Sequence, residues 1–368
     1  MIIGLPKEIK HEEYRVGLTP ESAGEYVKNG HRVLVETGAG VGSGFTDADY
    51  VRCGCEIETS KKRLFDNAEM IVKVKEPLPE EYELFHENQI LFTYLHLAAD
   101  KPQAEGLLRR KVKAVAYETI MEADRSLPLL VPMSQIAGRL SIQEGAKCLE
   151  KHFGGEGILL GGVPGVRRGN VVILGGGVAG TNAAKVALGI GADVTIMDIS
   201  AKRLAELDDI FGGRVKTLFA SDSNIAAALP DADLVIGAVL IPGAAAPKLV
   251  RREHLKTMRP GSVLVDIAID QGGCVETSHA TSHSDPVFVV DGVIHYCVAN
   301  MPGAVSRTST LALTSVTNRY GLKIAGLGLE KAVASSPAIR GGLNCYCGKL
   351  TNEPVARALD LPYWDYSA

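Results

Sequence analysis

Short apolar runs alternate with longer amphipathic stretches through the first third of the chain. The apolar runs are rich in β-branched and aliphatic residues and predict strands. They are Ile2–Leu5, Arg32–Glu36, Met70–Lys75, Ile90–Leu95 and Val112–Tyr117. A helix is expected at Pro20–Asn29, where Thr19 can cap the N-terminus and Pro20 fits the first turn. Strands and helices that alternate in this way predict βαβ units and a parallel sheet.

A longer helical run separates this series from a second one. It extends from about Ser134, the expected N-cap, to His152, and ends at the Gly/Pro-rich connector GGEGILLGGVPGVRRG. A new set of predicted strands follows the connector: Val171–Leu174, Asp193–Met197, Val215–Phe219, Leu234–Val239, Val263–Ile267 and Ile294–Val298. After Pro302 helical patterns return, and we expect them to run to the C-terminus.

These patterns predict an α/β protein with two doubly wound, Rossmann-like domains joined by long helices. The length of 368 residues suits two domains. We expect a dinucleotide-binding domain at residues 131–306. It would be inserted into a substrate (catalytic) domain formed by residues 1–130 and 307–368.

The charge and the apolar stretches exclude several classes of partner. A net charge of −4 gives no reason to expect nucleic acid or an anionic membrane. The longest uncharged stretch, from Leu234 to Pro247, is too short for a bilayer and is broken by Pro242 and Gly243. The N-terminal residues MIIGLPKEIKHEEYR contain no apolar core of signal-peptide length. We therefore expect a cytoplasmic protein.

The cysteines point to free thiols. There are seven, an odd number in a long chain, which suits a reducing compartment better than a disulfide framework. Two C-x-C pairs occur, at Cys53/Cys55 and Cys345/Cys347, but zinc ligands are usually more widely spaced. No metal is expected.

A glycine-rich turn, GGGVAG, follows the predicted strand Val171–Leu174 and fits the pattern G-x-G-x-x-G. In dinucleotide-binding folds the first glycine allows a tight turn, the second lets the backbone approach the pyrophosphate, and the third lets the helix pack closely. The helix N-terminus then offers N–H groups to the phosphates. With 40 glycines in the chain the pattern alone is weak, but the strand before it and the apolar helix Thr181–Gly189 after it favour a dinucleotide site. The predicted cofactor-binding residues of the turn are Gly175, Gly177, Val178, Ala179 and Gly180.

An acidic residue ends the next predicted strand. Asp198 lies 23 residues after Gly175, close to the spacing of about 20 expected for the carboxylate that binds the adenosine ribose. Its charge would repel a 2′-phosphate, which favours NAD over NADP. Lys202 and Arg203 follow closely. Arg203 is included among the cofactor-binding residues, with a solvated first helical turn as the alternative.

Polar residues with catalytic chemistry lie at or beyond the ends of several predicted strands, where ligands bind in open parallel sheets. They are Arg15, Lys75, His96, Asp270 and Asn300. Together they would suit a small anionic substrate that needs proton transfer. Each has a structural alternative: a lone strand-end histidine is often structural, Lys75 could pair with Glu76, and Asp270 could cap a helix. Arg15 could be a solvated loop charge, and position alone leaves the substrate open.

The chain resembles the alanine dehydrogenase family over nearly its whole length. The resemblance is carried by the segments IGLPKEIKHEEYRVGLTP, VKVKEPLPEE, LFTYLHLA, GGVPGV with VVILGGGVAGTNAA, VLVDIAIDQGG, YCVANMPGAV and TSTLALTSVTN. It implies NAD-dependent oxidative deamination of L-alanine to pyruvate and ammonia, reversibly, by a homohexamer. A transhydrogenase NAD-binding subunit, which we expect to lack a histidine at position 96, and a non-enzymatic NAD-binding module are the alternatives.

The resemblance also implies roles for individual residues. Arg15 and Lys75 would bind the substrate carboxylate and carbonyl, and His96 would be the acid/base group. Asp270 would assist at the reacting nitrogen and carbon. The remaining implied contacts concern the cofactor, namely Asn300 and Met301 on the nicotinamide side with Ser134 nearby, and Asp198 on the adenosine ribose.

Overall fold

The structure is a computed structural model, and it describes residues 1–239 and 246–366. Pro242 and Gly243, which interrupt the longest uncharged stretch, lie outside these ranges. The chain divides into two compact units, Met1–Met133 with Gly303–Ala368, and Ser134–Pro302. Among helices in the described ranges, none is both long and apolar enough to cross a membrane.

The strands alternate with helices in both units. The strands are β1 (Ile2–Leu5), β2 (Arg32–Glu36), β3 (Glu56–Glu58), β4 (Met70–Val72), β5 (Ile90–Thr93), β6 (Lys113–Ala116), β7 (Asn170–Leu174), β8 (Asp193–Asp198), β9 (Lys216–Phe219), β10 (Leu234–Gly237), β11 (Val263–Asp266), β12 (Val287–Val290), β13 (Val293–Tyr296), β14 (Leu343–Tyr346) and β15 (Lys349–Leu350). The helices are α1 (Pro20–Lys28), α2 (Asp47–Arg52), α3 (Lys61–Asn67), α4 (Pro79–Tyr82), α5 (Lys101–Arg109), α6 (Val131–Cys148), α7 (Val178–Gly189), α8 (Ala201–Phe211), α9 (Asp222–Ala228), α10 (Arg252–Leu255), α11 (Ser306–Leu327), α12 (Leu329–Ala334), α13 (Pro337–Gly342) and α14 (Glu353–Leu359).

The first unit is built on an eight-stranded sheet in the order β15-β14-β6-β5-β4-β1-β2-β3. β1 to β6 pair in parallel, and β14 joins the edge antiparallel to β6. From β1 the chain moves to β2 and β3 on one side and then crosses to β4 on the other. The topological switch point therefore lies between β1 and β4, and in such sheets ligands bind outside the carboxyl ends of the strands at this point.

The second unit has a seven-stranded sheet in the order β12-β13-β11-β10-β7-β8-β9. Its strands are parallel except β12, which pairs antiparallel with β13 at the edge. The switch point lies between β7 and β10. The central strands β10 and β11 are buried at every position, as expected for strands covered on both faces. The two sheets confirm the predicted α/β class with two doubly wound domains.

Several local predictions are confirmed and others need correction. The bounds of β1 and β2 are as predicted, and the Thr19 hydroxyl accepts the backbone N–H of Ser22, 3.1 Å away, at the start of α1. The predicted N-cap Ser134 is wrong, because α6 begins at Val131 and places Ser134 inside its first turn. The chain after Pro302 is not helical throughout, because the β14–β15 hairpin adds to the first sheet.

The cysteines are all unpaired. Cys345 is fully buried in β14, and this burial raises the pKa of its thiol to about 12. Within the described ranges, no group of three His, Cys, Asp or Glu side chains is arranged to hold a metal ion.

Candidate active site

His96 lies beyond the carboxyl end of β5 in a strained backbone conformation. Its φ is +51° and its ψ is 32°, a left-handed conformation that costs a residue other than glycine about 1–3 kcal/mol. Its exposed imidazole stacks on Tyr94, with ring centroids 5.9 Å apart and planes at 13°. The Tyr94 hydroxyl donates to the Leu129 carbonyl at 2.5 Å, so the ring beneath His96 is itself fixed.

Lys75 follows β4, the strand beside the switch point. Its backbone N–H donates to the Glu8 carboxylate at 3.3 Å, and the same oxygen accepts the N–H of Val74 at 2.6 Å. On the other side, the Thr93 hydroxyl donates to the Lys75 carbonyl at 3.0 Å. Both backbone polar groups of Lys75 are therefore engaged by side chains.

A buried ion-pair group lies next to Lys75 in the sequence. The Lys73 ammonium is 3.1 Å from the Glu8 carboxylate and 3.0 Å from that of Glu81, and all three side chains are almost fully buried. Burial opposes the charge on Lys73, but the two carboxylates raise its pKa above the ordinary value. Lys73 therefore pairs with Glu8, the residue that holds the Lys75 backbone.

Arg15 lies in the loop after β1, on the other side of the same switch point, and is almost completely buried. Its Nε and Nη2 donate to the two carboxylate oxygens of Glu13 at 2.7 and 2.6 Å, and Nη1 contacts the Met133 sulfur at 3.2 Å. Burial acts to lower the pKa of Arg15, but the hydrogen bonds and charge of Glu13 raise it. The interpretation of Arg15 as a solvated loop charge is therefore wrong.

Two shared neighbours connect these residues. Burial acts to raise the pKa of Glu76, yet it is lowered by the nearby Lys75, by Lys10 and by His96. Tyr94, which stacks on His96, also interacts electrostatically with Arg15. Arg15, Lys75 and His96 thus follow β1, β4 and β5, three neighbouring strands of the first sheet, and carry cationic and imidazole groups.

The glycine turn of the second unit occupies the switch point between β7 and β10. Gly175 has φ +102°, and a Cβ there would lie 2.6 Å from the Ala238 carbonyl oxygen. A Cβ on Gly180 would lie 1.8 Å from the Gly175 carbonyl oxygen. A Cβ on Gly177, the N-cap of α7, would meet no protein atom within 4 Å. The fold itself requires the first and third glycines, whereas the second borders open space.

Asp198, at the end of β8, holds the glycine turn. One carboxylate oxygen accepts the Gly176 N–H at 2.8 Å, and the other accepts the Ser200 N–H at 2.8 Å. Arg203 binds the same turn, because its Nε donates to the Gly176 carbonyl at 2.7 Å and its Nη2 to the Thr181 hydroxyl at 2.8 Å. The alternative of a solvated first turn is therefore wrong for Arg203.

Asp270 is exposed on a short 3-10 helix, Ile267–Gln271, that directly follows β11. The fully buried Asp266 carboxylate accepts the N–H groups of Ala268, at 3.1 Å, and Cys274, at 2.9 Å. The Lys248 ammonium donates to carbonyls at the far end of this loop, including that of Gly273 at 2.8 Å. Asp266 and Lys248 therefore both bind backbone groups of the loop that carries Asp270.

The remaining predicted cofactor residues lie in the second unit. Asn300 follows β13 with φ +63°, and its carbonyl contacts the His283 Nε2 at 3.3 Å. Met301 begins a 3-10 helix and is buried. Ser134 lies half-buried in the first turn of α6.

The carboxylates that support these residues were not predicted from the sequence; they are Glu8, Glu13, Glu118 and Asp266. Glu118 was detectable by the criterion that selected His96, because it too lies just after a strand, in the 3-10 turn Tyr117–Thr119 beyond β6. Asp266 is the last residue of β11, one residue before the end of the predicted strand Val263–Ile267. Glu8 and Glu13 carry no such signal, since acidic residues are common in exposed loops.

Two family models match the chain. The N-terminal domain of alanine dehydrogenase/PNT matches residues 4–137, and the C-terminal domain of alanine dehydrogenase/PNT matches residues 141–353.

Curated relatives match over almost the full length. An alanine dehydrogenase of Methanococcus maripaludis is 58% identical over 364 residues, covering 99% of this chain and 98% of the relative. An alanine dehydrogenase of Bacillus subtilis is 59% identical, covering 99% and 96%.

Solved structures give the same picture of the fold. An L-alanine dehydrogenase superposes with a TM-score of 0.95 at 53% identity, covering 98% of this chain and 99% of that one. A transhydrogenase from Sinorhizobium meliloti superposes with a TM-score of 0.82 at 24% identity, covering 96% and 99%, which shows a shared fold.

Proposed function

Since this chain belongs to the alanine dehydrogenase/PNT family, we propose that it interconverts L-alanine with pyruvate and ammonia, using NAD. It would be an oxidoreductase acting on a CH–NH2 group. The observation that carries the proposal is the grouping of Arg15, Lys75 and His96 around the switch point of the first sheet. These residues supply two cations and a proton-transfer group, the requirements of an α-amino or α-keto acid.

The glycine turn fits a dinucleotide. Because a Cβ on Gly177 would meet no protein atom within 4 Å, this space is available to a pyrophosphate at the N-terminus of α7. Gly175 to Gly180 would hold the pyrophosphate, with Asp198 on the adenosine ribose. Asn300 and Met301 would line the nicotinamide side, with Ser134 nearby.

The choice of NAD over NADP follows from the charges beside the glycine turn. Asp198 would repel a 2′-phosphate. Arg203 is the nearby cation in this turn, and its guanidinium is engaged by Gly176, Thr181 and Glu206. Because these contacts occupy its guanidinium, we do not expect Arg203 to bind a 2′-phosphate, and Asp198 would determine the choice of cofactor.

Two cations would hold the substrate. Glu13 occupies the Nε and Nη2 positions of Arg15, so we assign Nη1 to the substrate carboxylate. In this structure Nη1 contacts the sulfur of Met133, a weak acceptor, whereas a hydrogen bond from a guanidinium to a carboxylate is strong. Lys75 would donate to the carbonyl oxygen of pyruvate as a point charge on a fixed backbone.

Proton transfer falls to His96. The glycine turn and Asp198 would hold NAD, which would supply the hydride acceptor for oxidation of alanine at its α-carbon to an iminium. Asp270 would stabilise that cation, and water would add to its carbon. His96 would take the proton of this water and return a proton to the nitrogen as ammonia leaves. L-alanine, NAD and water thus give pyruvate, ammonium and NADH, with one proton released.

The proposal includes assembly and compartment. A homohexamer follows from the family resemblance, and the cytoplasm suits a chain whose seven cysteines are all free. A transhydrogenase-like or non-enzymatic NAD-binding role is the alternative. The identity of 53% to a solved L-alanine dehydrogenase, against 24% to a solved transhydrogenase, favours the first proposal.

One assay tests the proposal. Purified protein is mixed with NAD and a panel of L-amino acids, and NADH formation is followed by absorbance. We expect alanine to be the best substrate, ahead of 2-aminobutyrate, because one extra methylene changes recognition by about 1–3 kcal/mol. Absence of turnover with alanine, or faster turnover of leucine, glutamate or lysine, would show the assignment to be wrong.

A further inference from the structure

Few contacts fix the left-handed conformation of His96. Among the described residues, no group hydrogen-bonds the imidazole nitrogens, so the orientation of the ring depends on its backbone and on Tyr94. Residues other than glycine rarely adopt φ values near +51°, the value at His96, unless their surroundings impose them. The carbonyl of His96 accepts the Ala99 N–H at 3.1 Å, which accounts for one of its two backbone polar groups.

The N–H of His96 donates to the Glu118 carboxylate at 2.6 Å. The N–H of Leu95 donates to the same carboxylate, at 3.1 and 3.2 Å from its two oxygens. Two successive backbone N–H groups thus converge on one anion, and hydrogen bonds to an ionised acceptor are stronger than neutral ones. The Leu95 carbonyl is held in turn by the Gln103 amide at 3.0 Å.

The sheet explains why Glu118 can reach this turn. β5 and β6 are parallel neighbours in which Thr93 pairs with Ala116. His96 lies three residues past Thr93, and Glu118 two residues past Ala116. Adjacent carboxyl ends of parallel strands therefore place the half-buried Glu118 beside the backbone of His96.

We propose that Glu118 is a positioning residue for the reaction: by binding the N–H groups of Leu95 and His96, it holds His96 in the left-handed conformation that presents the imidazole to the substrate. This inference rests on the proposed function. It does not require Glu118 to touch substrate or cofactor. Without the carboxylate, the turn can relax to more common backbone conformations, and the imidazole moves away from its working position.

The test compares Glu118→Ala and Glu118→Gln with the native protein. For Glu118→Ala we expect kcat with alanine to fall about tenfold to hundredfold, since a displacement of about 1 Å has such an effect. The affinity for NADH, measured by fluorescence, should stay close to native, because the glycine turn belongs to the other unit. Glu118→Gln keeps an oxygen that can accept both N–H groups but loses the charge that strengthens these hydrogen bonds, so its kcat should lie between native and Glu118→Ala.

A matched control is available in Glu69. Its carboxylate also accepts a backbone N–H, that of Ile2 at 2.6 Å, but at the amino end of β1. Glu69→Ala should leave kcat within about twofold of native, the usual range for surface substitutions. If Glu118→Ala does not fold, Glu118→Gln alone decides: a reduced kcat with native NADH affinity supports the proposal, and an unchanged kcat overturns it.

A double-mutant cycle with His96→Ala separates positioning from general destabilisation. If Glu118 acts only through His96, His96→Ala/Glu118→Ala should have the same kcat as His96→Ala. Losses that multiply would overturn the proposal, as would a native kcat in Glu118→Ala. A native protein that does not oxidise alanine would instead refute the proposed function, so the two failures are distinguishable.

Discussion

The carboxylate of Glu13 binds the guanidinium of Arg15 at two points in the interior of the first unit. The closest ion-pair distance is 2.6 Å, and the exposed fractions of the two side chains are 0% and 2%. Glu13 also accepts the backbone N–H of Arg15 at 3.0 Å. The cation assigned to the substrate carboxylate is thus fixed through both its side chain and its backbone before any substrate arrives.

Removing Glu13 should therefore affect both stability and binding. Breaking a buried ion pair leaves an uncompensated charge and costs about 3–5 kcal/mol. We expect Glu13→Ala to lower the midpoint of thermal unfolding by more than about 5 °C, and Glu13→Gln, where soluble, to raise KM for pyruvate. Glu353→Ala, which breaks an exposed pair with Arg357, is the control and should have little effect. A Glu13→Ala protein as stable as native would contradict the prediction.

His96→Ala should remove most alanine turnover and spare cofactor binding. A general acid/base contributes about 10²–10⁴-fold, so kcat should fall by that order. NADH affinity should be nearly unchanged, because the glycine turn lies in the second unit. His152→Ala, at an exposed position of the second unit, provides the control. Near-native kcat in His96→Ala would exclude the catalytic role, and loss of NADH binding would make His96 structural.

Asp198→Ala should narrow the preference for NAD over NADP. We expect the ratio of the two kcat/KM values to fall by at least about tenfold, since hydrogen bonds to charged groups contribute about 1.5–3 kcal/mol. NADH affinity should also weaken, because Asp198 holds the Gly176 N–H. Asp193→Ala removes an exposed carboxylate at the opposite end of β8 and should leave the ratio unchanged. Equal use of both cofactors by the native protein would refute the role of Asp198.

A carboxyl group far from the predicted site should make stability depend on pH. Burial of Glu156, and then the charge of Asp233 and a hydrogen bond to it, raise the pKa of Glu156 to about 7. Burial acts to raise the pKa of Asp233 too, but it is lowered by Arg167, whose guanidinium lies 2.8 Å away. Arg259, at 2.7 Å, adds a second cation on Asp233. The proton of this pair therefore resides on Glu156.

The sign of the effect follows from proton binding. Between the ordinary pKa of 4.5 and about 7, the folded protein keeps a proton on Glu156 that the unfolded chain has released. The stability contributed by this group therefore falls as the pH rises through that window. Glu156→Gln mimics the protonated form, so its melting temperature should gain on that of the native protein between about pH 5 and about pH 8. Glu150→Gln, at an exposed position six residues earlier in the chain, should show no such gain.

Local patterns were sufficient to predict the core of both sheets and the glycine turn. These features depend on residues close in the sequence, whose side-chain size and backbone preferences predict local structure. They include the bounds of β1 and β2, the Thr19 cap and the positive φ of Gly175. Edge strands such as β3 were not predicted, because they lack a local apolar pattern. β3 is the polar segment Glu-Ile-Glu, which gains its conformation by pairing with β2 rather than from any apolar pattern.

By itself, then, the sequence determined the α/β class, the glycine turn, the family and the identity of the polar residues that follow the strands. Only the tertiary structure decided which carboxylates hydrogen-bond to those residues. Glu118 meets His96, 22 residues earlier in the chain, and Glu8 meets Lys75, 67 residues later. These contacts are set by the order and register of the strands, because neighbouring carboxyl ends meet across the sheet irrespective of their separation along the chain.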